Sequence, residues 1–531
     1  MHVRRLFTLL AFVSILALSC RALTIDLASR TASPSVTLER RSTSWQTDAV
    51  ESTLTPTPSA ALSATPQASP SPAPSATPTL PRLPEEPFPI RLHPDGGLFV
   101  GDQVSFEVIA PEEAEMDGRS ARVSLSQPVQ KEIGVAEFGD FGIAGRNQAT
   151  LTWAWDTRGL RPGDYAVSIL IEPGGPTWTE TISLLSQASL LPPEPEAEWA
   201  STESECCRFY YITGTDAERD LESLVELAQE QAELVQEQLG ADFGEPVEIV
   251  FLPRVLGHGG FANHEISISY LDDNYAGSGA EIVLHHELVH KLDGQLGGDL
   301  RPSLLVEGLA VYLSGGHFKA EPLTPRATAL LELGWYLPLP GLADAFYTSQ
   351  HEIGYLQAGA LVEYLVERWG WEAFDRFYRD IRNPEGSGGQ ADALNAALSQ
   401  HFGLTLAELD SQFLAHLKKQ PVDPRWVEDV RQSVNYYDTV RRYQQALDPS
   451  AHYLTAWLVD SETMRERGIV ADYLRHPAET ENRAIEALLV AADKRLKAGD
   501  YPGVKRLLAM ANAALEAYEA IPQTDSLPAS E

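Results

Sequence analysis

Basic residues are scarce in this chain. Forty lysines and arginines face 75 aspartates and glutamates, a formal net charge of −35 over 531 residues. That balance excludes nucleic acid and anionic lipid headgroups as electrostatic partners, because both require a basic surface. Cysteines are scarcer still, three in all, at positions 20, 206 and 207. Three cysteines cannot build a disulfide scaffold, so stability must come from apolar cores, which a hydrophobic content of 44% can supply. Neither Cys206 nor Cys207 has a histidine near it in sequence, so no thiol nucleophile is expected there. The N-terminal apolar run, Leu6 to Leu18, is shorter than the roughly 20 residues that cross a bilayer comfortably as a helix. The length allows two to four domains.

What the chain does contain is His285-His286-Glu287-Leu288-Val289-His290, followed by Val306-Glu307-Gly308-Leu309-Ala310. On a helix His286 and His290 project from one face, and two neutral imidazole nitrogens on a rigid face suit a zinc ion, Zn2+. Glu287 follows the first histidine, where its carboxylate reaches a water on the metal instead of the metal itself, as a general base does. A catalytic zinc needs a third protein ligand and one open position. One extension of the motif supplies it from glycine at 293 and histidine at 296. Asp293 and Leu296 exclude that version. The other supplies a glutamate from a second helix. Glu307 lies 17 positions after His290, beyond a break at Gly294, Gly297, Gly298 and Pro302, inside the apolar stretch Leu304 to Tyr312. A lone carboxylate there is costly to bury unless it is paired or metal-bound.

These two motifs together resemble a gluzincin metallopeptidase, most nearly the bacterial peptidase-MA-like domains, whose second motif reads E-G-x-A-x-Y. The resemblance covers roughly residues 205–415. It implies that His286, His290 and Glu307 bind zinc and that Glu287 polarises the water. It also implies a group that stabilises the oxyanion, commonly tyrosine or histidine. Tyr355 is the candidate, at the head of a helix running into Tyr364-Leu365-Val366-Glu367-Arg368-Trp369-Gly370, with His351 one turn earlier as its rival. No G-x-M-x-N stretch appears, which favours an endopeptidase over an aminopeptidase. Related peptidases bind substrate by strand addition, and Glu265 to Leu271 alternates as such an edge strand would. His317, after the glycine turn Ser314-Gly315-Gly316, reads as a cleft residue or, more simply, as a surface or capping one. Asp293 reads as a partner of a ligand imidazole or as a helix-end cap.

The remaining segments divide by composition. Residues 1–20 read as an export signal, and Ala17-Leu18-Ser19-Cys20 resembles a bacterial lipobox in which Cys20 would carry the lipid. The alternatives are plain secretion or an uncleaved anchor. Residues 21–84 are Ser/Thr/Pro-rich, as in Ser69-Pro70-Ser71-Pro72-Ala73-Pro74, and read as a disordered linker. Residues 85–190 alternate with period two (Val104, Phe106, Val108; Tyr165, Val167, Ile169, Ile171) and suit a β-sandwich. A spacer or docking module is the plain expectation for it, with Trp153, Trp155 and Trp178 as core. Cys206 and Cys207 open a strand and either form a vicinal disulfide or stay reduced. Thr215 and Glu218 suggest a capping box ahead of a long helix. Residues 421–520 read as a helical region capping the catalytic domain, and 521–531 as a disordered tail.

The fold expected is therefore multidomain: an all-β immunoglobulin-like sandwich (85–190), an α+β zincin-like domain (200–420) and a C-terminal helical region. The expected partners are a peptide or protein substrate, no nucleic acid, and a membrane only through Cys20, in a monomer. A cell-surface binding protein that reuses a zincin-like fold without catalysis is the alternative.

Overall fold

A computed structural model describes residues 81–520, except 128, 129, 278, 318, 384–387 and 453. The expected signal segment, Cys20, nearly all of the linker and the 521–531 tail lie outside the described residues. Among the described residues no helix is long and apolar enough to cross a membrane.

The N-terminal region is β-rich. Its strands are β1 (Ile90–His93), β2 (Leu98–Phe99), β3 (Gln103–Ile109), β4 (Ser120–Gln127), β5 (Lys131–Phe141), β6 (Arg146–Asp156), β7 (Gly163–Glu172) and β8 (Thr177–Leu185). They follow one order, β1-β3-β6-β5-β4-β7-β8-β2, in a barrel-like sheet. The alternation suggested two facing sheets, and β5 accounts for the difference. Its first half pairs with β4 and its last four residues with β6, so one long strand turns the corner between the two faces. Tyr165, Val167, Ile169 and Ile171 point inward from β7, as period two requires. The ordered body starts earlier than residue 85, because Leu83 is already buried in this core.

The register of β3 against β6 slips between Val104 and Phe106. Opposite the slip, Trp153 adopts φ +48°, a conformation that non-glycine residues rarely hold. Its backbone N–H donates to Ser105 Oγ at 2.6 Å. The bulge separates Trp153 from Trp155. Trp155 joins the barrel core, whereas Trp153 joins a second cluster with Ile212, Val250, Leu252, Trp457, Met464 and Tyr473.

A five-stranded mixed sheet follows, made of β9 (Trp199–Glu203), β10 (Cys207–Ile212), β11 (Val247–Leu252), β12 (Gly260–Ala262) and β13 (Ile266–Ser269), ordered β12-β13-β11-β10-β9. Cys206 and Cys207 form a vicinal disulfide. The fifteen described helices are α1 (Asp216–Arg219), α2 (Leu221–Leu239), α3 (Ala280–Leu296), α4 (Ser303–Ser314), α5 (Leu323–Leu333), α6 (Leu339–Asp344), α7 (His351–Trp369), α8 (Trp371–Arg379), α9 (Gln390–Phe402), α10 (Leu406–Leu417), α11 (Pro424–Leu447), α12 (Ser461–Arg467), α13 (Ala471–Leu474), α14 (Thr480–Lys497) and α15 (Tyr501–Glu519). Val247, Ile249 and Phe251 of β11 face a core shared with α2, α3 and α4. The intervening Val250 and Leu252 face Trp153 and Trp457. Both faces of the sheet are thus covered, one by α2, α3 and α4 and one by the β-rich and C-terminal regions.

Two local expectations are corrected. Thr215 and Glu218 form no capping box: the Thr215 hydroxyl donates to Ile212 O, and Glu218 accepts from Gly214 N. The stretch from Glu265 to Leu271 is no edge strand. Within it β13 lies between β11 and β12, and the edge belongs to β12, built from the glycine-rich loop before it.

Helix α11 enters the same core as α3 and α7, through Val430 and Val434. A buried polar network fastens it there. Arg326 of α5 donates to Asp429 of α11 (2.9 Å), Glu352 of α7 (3.1 Å) and Ser433 of α11 (2.9 Å), and also pairs with Glu321. Such a group is destabilising unless its charges are matched: Lys319 also pairs with Asp429, and burial pushes the Glu321 carboxyl up to about 8, which leaves two charged carboxylates to two cations near pH 7.

Candidate metal centre

Helix α3 is buried along most of its length, including His285, His286 and Glu287. His286 and His290 turn their Nε2 atoms to the same point as Glu307 of α4. His286 Nε2 lies 3.2 Å from Glu307 Oε2, His290 Nε2 lies 3.3 Å from the same oxygen, and the two nitrogens are 3.0 Å apart. Donors about 2.0–2.1 Å from one tetrahedral ion are separated by roughly 3.3 Å. One imidazole proton cannot serve all three contacts, whereas a shared cation can. These are the residues among those described that could hold a metal ion, and they fit one.

Gly308, beside the ligand glutamate, has a packing reason. A Cβ there would lie 2.6 Å from Ala358 O, so its absence lets α4 cross α7 at close range. Tyr347, in the 3-10 turn Phe346–Thr348, donates its hydroxyl to Glu307 Oε1 at 2.6 Å. Burial would raise the Glu307 carboxyl, but His290 and His286 hold it well below the ordinary range.

Glu287 lies against the edge strand. A Cβ added to Gly260 of β12 would come within 2.3 Å of Val283 Cγ1 and 3.4 Å of Glu287 Oε1. Burial pushes the Glu287 carboxyl up to about 7, against the pull of His286 and with repulsion from Glu307. His285, the neighbour in sequence, faces away and bonds Gln231 and Gln238 of α2 at 2.8 and 2.9 Å.

Tyr355 and His351 both lie in an aromatic cluster behind the metal trio. The Tyr355 ring is 6.3 Å from that of His286 and stacks on His317 at 4.1 Å. His351 is one ring further out, 4.7 Å from His317, 4.8 Å from His258 and 5.0 Å from Tyr437 of α11. His317 is therefore no surface residue. It is buried, its ring is 5.9 Å from that of His286, and its Nδ1 is 3.6 Å from Glu352 Oε2. Burial holds the imidazoles of His258 and His351 well below their ordinary value, and that of His317 below it, so all three are neutral near pH 7.

Asp293 neither touches a ligand imidazole nor caps a helix with its side chain. It accepts from Arg301 (3.0 Å) and Tyr378 (2.8 Å) and forms an ion pair with Arg379 (2.6 Å), tying the end of α3 to α8. Tyr347 and His258 are the neighbours that sequence reasoning missed. Tyr347 sits in a single irregular turn with no periodicity around it. The loop of His258 draws notice only for Gly257, Gly259 and Gly260.

No protein-family model matches this chain, and no curated protein matches it either.

Proposed function

We propose that the chain is a zinc-dependent peptidase, gluzincin-like in its site and zincin-like over residues 200–420. One observation carries the reading: three donor atoms converge as a zinc set within reach of a buried carboxylate that faces a sheet edge. Zinc held by His286, His290 and Glu307 would supply a Lewis acid for a water molecule and a peptide carbonyl. Edge strand β12 pairs with an extended peptide and aligns its backbone with the site. Glu287 accepts the proton of the attacking water and passes it to the leaving nitrogen. Tyr355 donates a hydrogen bond to the oxyanion. Its ring is 6.3 Å from that of His286, whereas the rings near His351 are those of Tyr355, His317 and His258. An endopeptidase suits a strand-addition cleft. We further propose export and attachment through Cys20, with the β-rich region, immunoglobulin-like in its alternation, set between anchor and catalytic part.

The test is a mass-spectrometric digest of a mixed peptide pool by zinc-loaded protein and by its Glu287→Gln variant. We expect cleavage by the first and a loss of roughly 10²–10⁴-fold in the second, with zinc content unchanged. Zinc bound in both and no cleavage by either would point to a binding protein. Equal cleavage by both would remove Glu287 from the mechanism.

A further inference from the structure

The cleft beside the metal trio is cationic, in a chain that is otherwise strongly acidic. It encloses about 480 Å3, and its polar wall is formed by Asn263, Lys291, Gln295, Arg301 and Tyr347. Among the described residues the one carboxylate lining it is Glu307 of the candidate metal set. Lys291 follows ligand His290 on α3. Its Nζ donates to two backbone carbonyls in the turn after β12, Asn263 O at 3.0 Å and His264 O at 2.7 Å. An ammonium group has three N–H donors, and two of them here meet uncharged acceptors. The carboxylates that act on it from nearby are Glu248 and Glu265. Both are engaged elsewhere: Glu265 by Arg465 at 2.7 Å, Glu248 by the Tyr210 hydroxyl at 3.2 Å and by Arg208 at 3.5 Å. Arg301, on the same wall, is held in place by Asp293, which it shares with Arg379 and Tyr378, and Arg379 pairs with Asp375 as well.

Position and charge lead to the same ligand chemistry. An anion approaching a protein of net charge −35 is repelled by most of its surface, and a low-dielectric cleft with a cationic wall is where it is stabilised. Lys291 stands next to His290 and holds the turn that follows β12, so a peptide paired with β12 would pass close to it. We propose that Lys291, backed by Arg301, forms a carboxylate-binding subsite that selects peptides with an acidic side chain or a free C-terminus close to the scissile bond. The proposal rests on the peptidase reading for its substrate and assigns that substrate its charge.

The experiment uses the full chain carrying Glu287→Gln, loaded with zinc, which binds peptides without cleaving them. Isothermal calorimetry compares alanine-rich decapeptides in which one Glu, or one Gln, is moved along the sequence, each with a free or an amidated C-terminus. One Glu position, or the free terminus, should bind roughly tenfold tighter or more than its neutral counterpart, the size of a charge-assisted hydrogen bond. Lys291→Arg should keep that preference and Lys291→Met should lose it, at equal zinc content. A gain confined to one Glu position identifies a side chain, and a gain abolished by amidation identifies the chain end. Equal binding of charged and neutral peptides overturns the subsite while leaving the peptidase reading to its own digest. A preference that survives Lys291→Met overturns it too. If no peptide binds and the wild-type chain cleaves none, both readings fall together.

Discussion

Glu307 presents its two oxygens to different partners. Oε2 faces the two imidazoles, and Oε1 accepts the Tyr347 hydroxyl at 2.6 Å. That hydrogen bond fixes the carboxylate plane and so the direction of the donor atom. Tyr347→Phe keeps the ring and removes the bond. We expect zinc affinity to fall roughly 10–100-fold, read by competition with a chelator, with the melting temperature of the metal-free protein nearly unchanged. An unchanged affinity would reduce Tyr347 to a packing residue. His286, His290 and Glu307 were legible in the sequence because helical spacing puts two histidines on one face, and a carboxylate in an apolar run demands a partner. Tyr347 was not, since one turn of 3-10 helix between longer elements leaves no pattern. His317 was misjudged for a related reason. A histidine after a glycine turn looks exposed, and only the folding of α7 and α11 over it buries the ring.

Helices α4 and α7 cross through glycines. Gly308 meets Ala358 O, and a Cβ on Gly359 would lie 2.5 Å from Val311 Cγ1. The close crossing sets the height of Glu307 above α3. Gly308→Ala therefore does more than fill space, because the atom it meets is backbone. We expect a loss of about 1–3 kcal/mol in urea denaturation, with weakened zinc binding as α4 shifts. A variant of wild-type stability would show that the helices separate at no cost. Helix α2 and strand β7 follow from periodicity sustained over many residues, whereas α3 was expected from its histidine motif and α7 from the family resemblance. Strand β12 does not. Three residues of a glycine-rich loop cannot show alternation, so β13, which does alternate, was taken for the edge. The barrel-like closure was hidden likewise, because the switch of β5 from one neighbour to the other leaves its own alternation intact.

Across the whole molecule, composition marked boundaries that packing ignores. Arg254, just past β11, donates to Asp95 Oδ2 (2.5 Å) in the β-rich region, to Ser450, and to the carbonyls of Asp472 (3.0 Å) and Arg475 (3.2 Å). Arg475 in turn pairs with Asp102 (2.6 Å) and Glu194. Partners 159 to 373 residues apart leave no local trace in a sequence. The proline breaks near 192 and 421 therefore read as domain limits, although buried ion pairs reach past both. Asp472 belongs to this junction. Burial raises its carboxyl to about 6, against the attraction of His93 and Arg254. The folded protein thus holds that proton more tightly than the unfolded chain does. The resulting stability is fully present below about pH 4 and is lost as the pH rises through 6. Asp472→Asn should accordingly be more stable than wild type at pH 8, by at most roughly 2–3 kcal/mol, and no more stable at pH 4. Denaturation at the two pH values measures the difference, and a pH-independent effect would place the cause in packing. The arginine junction also orders events in time. The loop from Arg254 to Gly260 carries both His258 and the strand that faces Glu287, and its anchors include residues 450, 472 and 475. On the ribosome the metal-ligand motif is finished long before those anchors are made. A growing chain therefore contains His286, His290 and Glu307 before the loop that carries β12 can be anchored, and the geometry around the three is completed only after residue 475 has been made.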